Sequence, residues 1–169
     1  MLKLLIPVDA SNVCRYAIQH VIHRVWSGEA LDIHLIHVQA PFTRYVGRFV
    51  ARTALQDFYA ERSAKALVAV GKLLERGGLR YSVHVTRGEP AREIVRYAES
   101  NRFGGIVIAS DGLGSVSEMI FGSVTAKVLR TSRVPVEVVP ASPRSRIRAY
   151  AGPTGLGAGI LALLYVALD

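Results

Sequence analysis

The chain has 169 residues, half of them apolar and a fifth charged, the balance of one soluble globular domain with a modest appendage rather than of several domains. A net charge of +8 favours phosphate-bearing partners or an anionic membrane surface, but charge alone gives no reason to expect nucleic-acid binding. The single cysteine, Cys14, excludes an intramolecular disulfide and fits a reducing cytoplasm.

Leu2–Val8 is a short apolar run, too short for a signal peptide, and reads as a strand buried on both faces. Asp9-Ala10-Ser11-Asn12 then offers a turn with N-cap side chains. Over 12–26, Val13, Ala17, Val21 and Val25 recur every four residues beside Ile18 and Ile22, the pattern of an amphipathic helix, and Ser27-Gly28 stops it. Cys14 falls in this helix as a small buried hydrophobe, with no His or Asp beside it in sequence to make it a nucleophile. Leu31–Val38 is rich in β-formers and completes a β-α-β unit.

Residues 39–49, with Pro41 and Gly47, read as a loop. A long helix follows over 50–76, with Leu55, Phe58, Tyr59, Ala66, Val70, Leu73 and Leu74 on its apolar stripe and Gly77-Gly78 at its end. Tyr81–Val85 alternates as a third strand, and Gly88-Glu89-Pro90 opens a third helix with Ile94, Val95, Tyr97 and Ala98 facing inward. The stretch 105–139 then gives an apolar strand, Gly105–Ser110, a glycine- and serine-rich loop, a helix over 122–132 and a last strand, Val134–Val139. Strands alternating with helices in this way imply a parallel sheet with helices on both faces. Strand, glycine loop and helix N-terminus is the order in which such folds cradle phosphate.

Several of these segments resemble the universal stress protein family. The opening Ile6-Pro7-Val8-Asp9-Ala10-Ser11, the Gly88-Glu89-Pro90 segment followed by Ile94, and the closing Val134-Pro135-Val136-Glu137-Val138-Val139 all look like that family. The nucleotide motif G-x2-G-x9-G-[S/T] is similar to Ala109-Ser110-Asp111-Gly112, nine residues, then Gly122-Ser123-Val124. The resemblance covers 1–140, leaving 141–169 as a basic linker and apolar tail. It implies a Rossmann-like α/β fold with an open five-stranded parallel sheet of order 3-2-1-4-5, and a homodimer formed partly through Val134–Val139. It also implies an adenine-nucleotide-binding, cytoplasmic stress or regulatory protein. Carried over by position, Pro7, Val8 and Asp9 would border the base, with Val38 at the end of the second strand. Ala109, Gly112, Gly122, Ser123 and Val124 would hold ribose and phosphates.

The chemistry of the residues points the same way. In order 3-2-1-4-5 the strand order reverses between the first and fourth strands, where ligands bind such sheets, and Asp9 and Asp111 follow those two strands. Gly112 and Gly122 let backbone N–H groups approach an anion, and Ser123 stands at a helix N-terminus. The alternative is that these glycines only make tight turns. Ala109 adds a methyl where the family motif begins with glycine, and Leu113 replaces a polar residue. Asp111 repels a triphosphate unless a divalent cation bridges them, so ATP with Mg²⁺ or Mn²⁺, or else AMP or ADP, is the expected ligand. The competing reading is a nucleotide-free dimerisation module of the same fold.

No nucleophile, base or paired carboxylates converge on the loop in sequence, and the Walker pattern is absent, so at most slow ATP hydrolysis is expected. Lys127 reads as a solvated helix residue. His20 and His23 could share a helix face, His34 and His37 point to opposite faces of a strand, and no metal-ligand pattern emerges. Arg44, Arg48 and Arg52 form a basic stripe, readable as solvated surface, as a lid over phosphates or as a partner surface.

Beyond Pro140, Arg144, Arg146 and Arg148 precede an uncharged run, Ala149–Leu168, whose core is GILALLYVAL. Membrane association through 150–168 is one expectation for this run, and packing on the domain or on a dimer partner is the other. Thr154–Leu168 as helix reaches about 22 Å, short of a hydrocarbon core of about 30 Å.

Overall fold

The computed structural model describes residues 1–40, 52–110 and 122–141. Within them the chain alternates β1 (Leu2–Pro7), α1 (Cys14–Trp26), β2 (Leu31–Gln39), α2 (Arg52–Arg76), β3 (Tyr81–Arg87), α3 (Pro90–Ser100), β4 (Gly105–Ser110), α4 (Ser123–Thr131) and β5 (Val136–Pro140). All neighbouring strands are parallel, in the order β3-β2-β1-β4-β5 expected from the sequence.

The central strands carry apolar residues at consecutive positions because both of their faces are covered. Leu4, Leu5 and Ile6 of β1 and Ile106 and Val107 of β4 are all buried. Alternation then divides the core in two. Leu4, Ile6, Val8, Ile33 and Leu35 pack with Ala17, Ile18 and Val21 of α1 and Val70 and Leu74 of α2. On the opposite face Leu5, Ile36 and Ile106 pack with Ile94, Val95 and Ala98 of α3 and Val128 of α4. Gly78 ends α2 at φ +70, a backbone that residues with a Cβ rarely adopt.

The element ends differ from the sequence expectation in physical detail. α1 begins at Cys14, and its N-cap is Val13, without a side-chain cap. Asp9 and Ser11 bond within their own loop instead: Asp9 Oδ1 accepts from Ser11 N at 3.0 Å and Ser11 Oγ at 2.5 Å, and Ser11 Oγ accepts from Val13 N at 3.3 Å. β3 runs on to Arg87 because Val38 and Gln39 of β2 still pair with Thr86 and Arg87. α4 is one residue shorter at each end, with Gly122 and Ser132 as its caps. β5 starts at Val136 and includes Pro140, which the edge position of this strand tolerates.

Cys14 is buried, as expected, and burial pushes its thiol pKa up, so it packs rather than reacts. His34 and His37 do lie on opposite faces: His37 Nδ1 donates to Val8 O at 2.9 Å, whereas His34 meets His84 at 2.8 Å. His20 donates to Glu137 Oε1 at 2.6 Å, and Arg24 NH1 donates to Glu137 Oε2 at 2.8 Å. These bonds fasten α1 to the edge strand β5, and the His20 hydrogen bond is the main cause of a depressed Glu137 pKa. Among the described residues no helix is long and apolar enough to cross a membrane.

Candidate functional site at the strand-order reversal

The sheet reverses its strand order between β1 and β4, which pair through Leu4 with Gly105 and Leu5 with Ile106. Beyond their carboxyl ends lie Asp9 on one side and the start of α4 on the other. Such a crevice is where open α/β sheets bind ligands.

The residues singled out in the sequence separate by face. Val38 and Val124 pack against the α3/α4 core, and strand alternation puts Pro7 on that same face. Val8 and Ala109 belong to the α1/α2 core. The methyl of Ala109 is thus spent in packing, with Ala109 paired to Val139. Both backbone groups of Val8 are also engaged, its N–H donating to Ile36 O at 2.9 Å and its carbonyl accepting from His37. Val8 and Ala109 hold the two strand ends in place, while Pro7, Val38 and Val124 present apolar surface. Asp9 is exposed, and its Oδ2 has no partner among the described residues, so it can accept from a ligand N–H or hydroxyl.

The start of α4 is open. Gly122 caps it with φ −52 and ψ 151, without a side-chain bond to the first turn, and no acidic residue stands in that turn. The first bond of the helix runs from Ala126 N to Gly122 O at 3.0 Å, and the earlier N–H groups, beside the positive end of the helix dipole, have no acceptor among the described residues. The backbone angles of Gly122 suit any residue, and a Cβ there would meet no described atom within 4 Å. Among the described residues neither backbone angle nor packing requires glycine at this position.

Ser110, to which the sequence reading gave no separate role, stands at the carboxyl end of β4 beside the strand-order reversal. It is 5 % exposed, and its Oγ has no hydrogen-bond partner among the described residues. A hydroxyl closing an otherwise apolar strand was the available signal, since a buried hydroxyl without a partner is costly. Lys127 is half exposed, with its Nζ 3.2 Å from Glu89 Oε1. Gly112, Asp111, Leu113, Arg44, Arg48 and the tail from 142 onward lie outside the described residues.

A cleft of about 190 Å³ lies at the carboxyl end of β1, bounded by Asp9, Ser11 and Cys14 and by Val70 and Leu73 of α2. The larger groove, about 340 Å³, runs between α3 and α4 past Arg92, Arg96, Lys127 and Arg130 and is lined by no strand end. Among the described residues no three His, Cys, Asp or Glu side chains are grouped to hold a metal ion.

Comparison with known proteins agrees with this architecture. The model of the universal stress protein family matches residues 1–140. A universal stress protein of Methanocaldococcus jannaschii, MJ0531, is 29% identical over 139 residues, covering 81% of each chain. The solved structure of a second protein from that organism, MJ0577, superposes with a TM-score of 0.67 at 29% identity, covering 83% of this chain and 96% of that one. A family member from Arabidopsis thaliana, solved with AMP bound, gives a TM-score of 0.62 at 18% identity over 86% of this chain and 95% of its own. The protein from Archaeoglobus fulgidus in complex with dAMP gives 0.61 at 18% identity over 82% and 98%. With the family's whole pattern matched over its first 140 residues and the same sheet order, the chain belongs to the universal stress protein family.

Proposed function

We propose that this protein binds an adenine nucleotide between the carboxyl ends of β1 and β4 and acts as a stress-response regulator through that binding. The observation that carries the reading is Gly122: a glycine that neither its backbone angles nor packing among the described residues requires, capping a helix whose first N–H groups have no acceptor among those residues. The phosphates sit on this helix start, with Ser123 adding a hydroxyl donor. The base lies against Pro7 and Val38, and Asp9 Oδ2 accepts from an amino or hydroxyl group. AMP and dAMP in the two related structures support an adenine base. ATP is the first candidate, with Mg²⁺ or Mn²⁺ bridging its phosphates to Asp111; AMP and ADP need no such bridge. The protein is not assigned a catalytic step.

The test is isothermal titration of the full chain with ATP, ADP and AMP, with and without Mg²⁺. Saturable binding of one adenine nucleotide is the expected result. No binding of any of them at millimolar concentration ends the reading and leaves a nucleotide-free interaction module of the same fold.

Two further features belong to this proposal. β5 is an edge strand whose outer side is unpaired among the described residues, which supports a homodimer through Val134–Val139. The arginines and apolar run after Pro140 support association of 150–168 with an anionic membrane, from the cytoplasmic side. Light scattering of the full chain tests the first, and fractionation against a chain ending at Pro140 tests the second.

A further inference from the structure

We propose that His34, His84 and Tyr97 form a proton-responsive latch that fastens α3 to the β2–β3 edge at neutral pH and loosens it on acidification. The three side chains come from three elements and meet in a single line. His34 Nδ1 lies 2.8 Å from His84 Nε2, and His84 Nδ1 lies 2.7 Å from Tyr97 Oη. The two imidazole planes are 12° apart, and Phe103 stands edge-on to His34 with ring centroids 5.0 Å apart. His34 is 9 % exposed.

The charged and polar surroundings fix the direction of the chain. His34 Nε2 stands 3.0 Å from Asp32 Oδ2, at ion-pair distance but off the line of a hydrogen bond, so an N–H there is attracted and a lone pair repelled. With Nε2 protonated, neutral His34 has only an acceptor at Nδ1. His84 must then donate from Nε2, and its own Nδ1 accepts from the Tyr97 hydroxyl. One neutral arrangement satisfies both hydrogen bonds of the line and leaves the His34 Nε2–H facing the Asp32 carboxylate.

Protons can be counted from the same geometry. A single added proton fits on His84 Nδ1 if Tyr97 turns to accept. A second does not, because two N–H groups would then face each other across 2.8 Å. Lys3 of β1 also opposes the charge, its Nζ 4.4 Å from the Phe103 ring centroid. Asp32 of β2 favours it, and from α3 Glu93 reaches Thr86 on the same strand as His84 at 3.5 Å. The balance lowers the His84 pKa, with burial the largest cause, followed by His34 and then Lys3. A histidine held below its ordinary value of 6.5 contributes stability to the closed state that is fully present above that value and is lost as pH falls from it through the lower, closed-state value.

Because the closed line has room for one added proton and not for two, opening takes up a proton, and the open-to-closed ratio rises by up to about tenfold per pH unit below the ordinary histidine value. Two measurements on the full, ¹⁵N-labelled chain test the latch. Imidazole spectra at about pH 7.5 should find both His34 and His84 as Nε2–H tautomers, and a Nδ1–H form of either overturns the assignment. Amide exchange of α3, corrected for its intrinsic pH dependence, should show opening at least about tenfold more frequent at pH 5 than at pH 7.5. In His84→Gln the side-chain amide donates to His34 and its carbonyl accepts from Tyr97, copying the neutral imidazole without its proton site, so the rise should shrink to about twofold or less. A pH-independent α3 in the native chain, or an undiminished rise in His84→Gln, rejects the latch. Should that variant not fold, the spectra and the exchange of the native chain decide by themselves.

Discussion

α3 and α4 lie side by side on one face of the sheet, yet their first turns are built in opposite ways. α3 is sealed: the Glu89 side chain accepts from Arg92 N at 2.8 Å, Pro90 occupies the first turn, and Glu93 adds a second carboxylate. Every one of those choices stabilises a helix start. α4 has none of them. Gly122 stands in place of a capping side chain, no acid stands in the first turn, and the first N–H groups have no acceptor among the described residues. Two helix starts that follow strands of the same sheet are thus built differently, and only that of α3 is closed by its own side chains.

The sharpest way to break this contrast is to seal α4 as α3 is sealed. Gly122→Asp gives α4 a capping carboxylate that takes its first N–H groups and repels phosphate. Adenine-nucleotide affinity should fall about a hundredfold, roughly 2.7 kcal/mol, by titration calorimetry. Thermal unfolding of the same variant should show no loss of stability and a gain of about 0.3–1 kcal/mol from the cap and the helix dipole. A variant that binds normally would show that the open turn does not take the phosphates. The converse change is smaller. Glu89→Ala unseals α3 and should lower the midpoint of chemical denaturation. It also removes the contact with Lys127, an exposed ion pair worth little, so Lys127→Met should cost less than Glu89→Ala. Equal losses would assign the effect to the pair instead of the cap.

The sequence made α3 easier to read than α4, and the reason is physical. A cap made by a side chain, as at Glu89 before Pro90, is written in residue types at fixed spacing. A site made by the absence of side chains is not, because Gly122 reads equally as a turn until its backbone angles and its empty surroundings are known. The parallel sheet and the two-sided burial of β1 and β4 were legible in alternating elements and apolar runs, whereas the strand order came from the resemblance to the family. The roles of Val8 and Ala109 were not, since which face a strand-end residue joins depends on register. Asp9 and Ser11 misled in the other direction: they have the composition of a cap for α1 but satisfy each other. His84 and Tyr97 are 13 residues apart in sequence, and nothing in their spacing announces that a third residue, His34, closes the line.

The smallest expected effect concerns the proton. The Arg92 backbone N–H, and next the Lys127 ammonium, hold the Glu89 carboxyl below the ordinary glutamate value of 4.5. A carboxylate depressed in the folded state contributes stability that is fully present above its unfolded value and is lost as pH falls through the lower, folded one. The seal on α3 should therefore persist at pH 4.5 and fail only below it. The amide of Arg92 reports this directly, because it is the donor in the cap. Its protection should decline below pH 4.5 in the native chain, whereas in Glu89→Gln, whose carbonyl still accepts from Arg92 but does not titrate, it should stay level. The corresponding amide of α4, at Thr125, faces no carboxylate cap among the described residues and should show no such acid step. An acid-dependent loss of protection at both helices would mean that the two starts are not built differently after all.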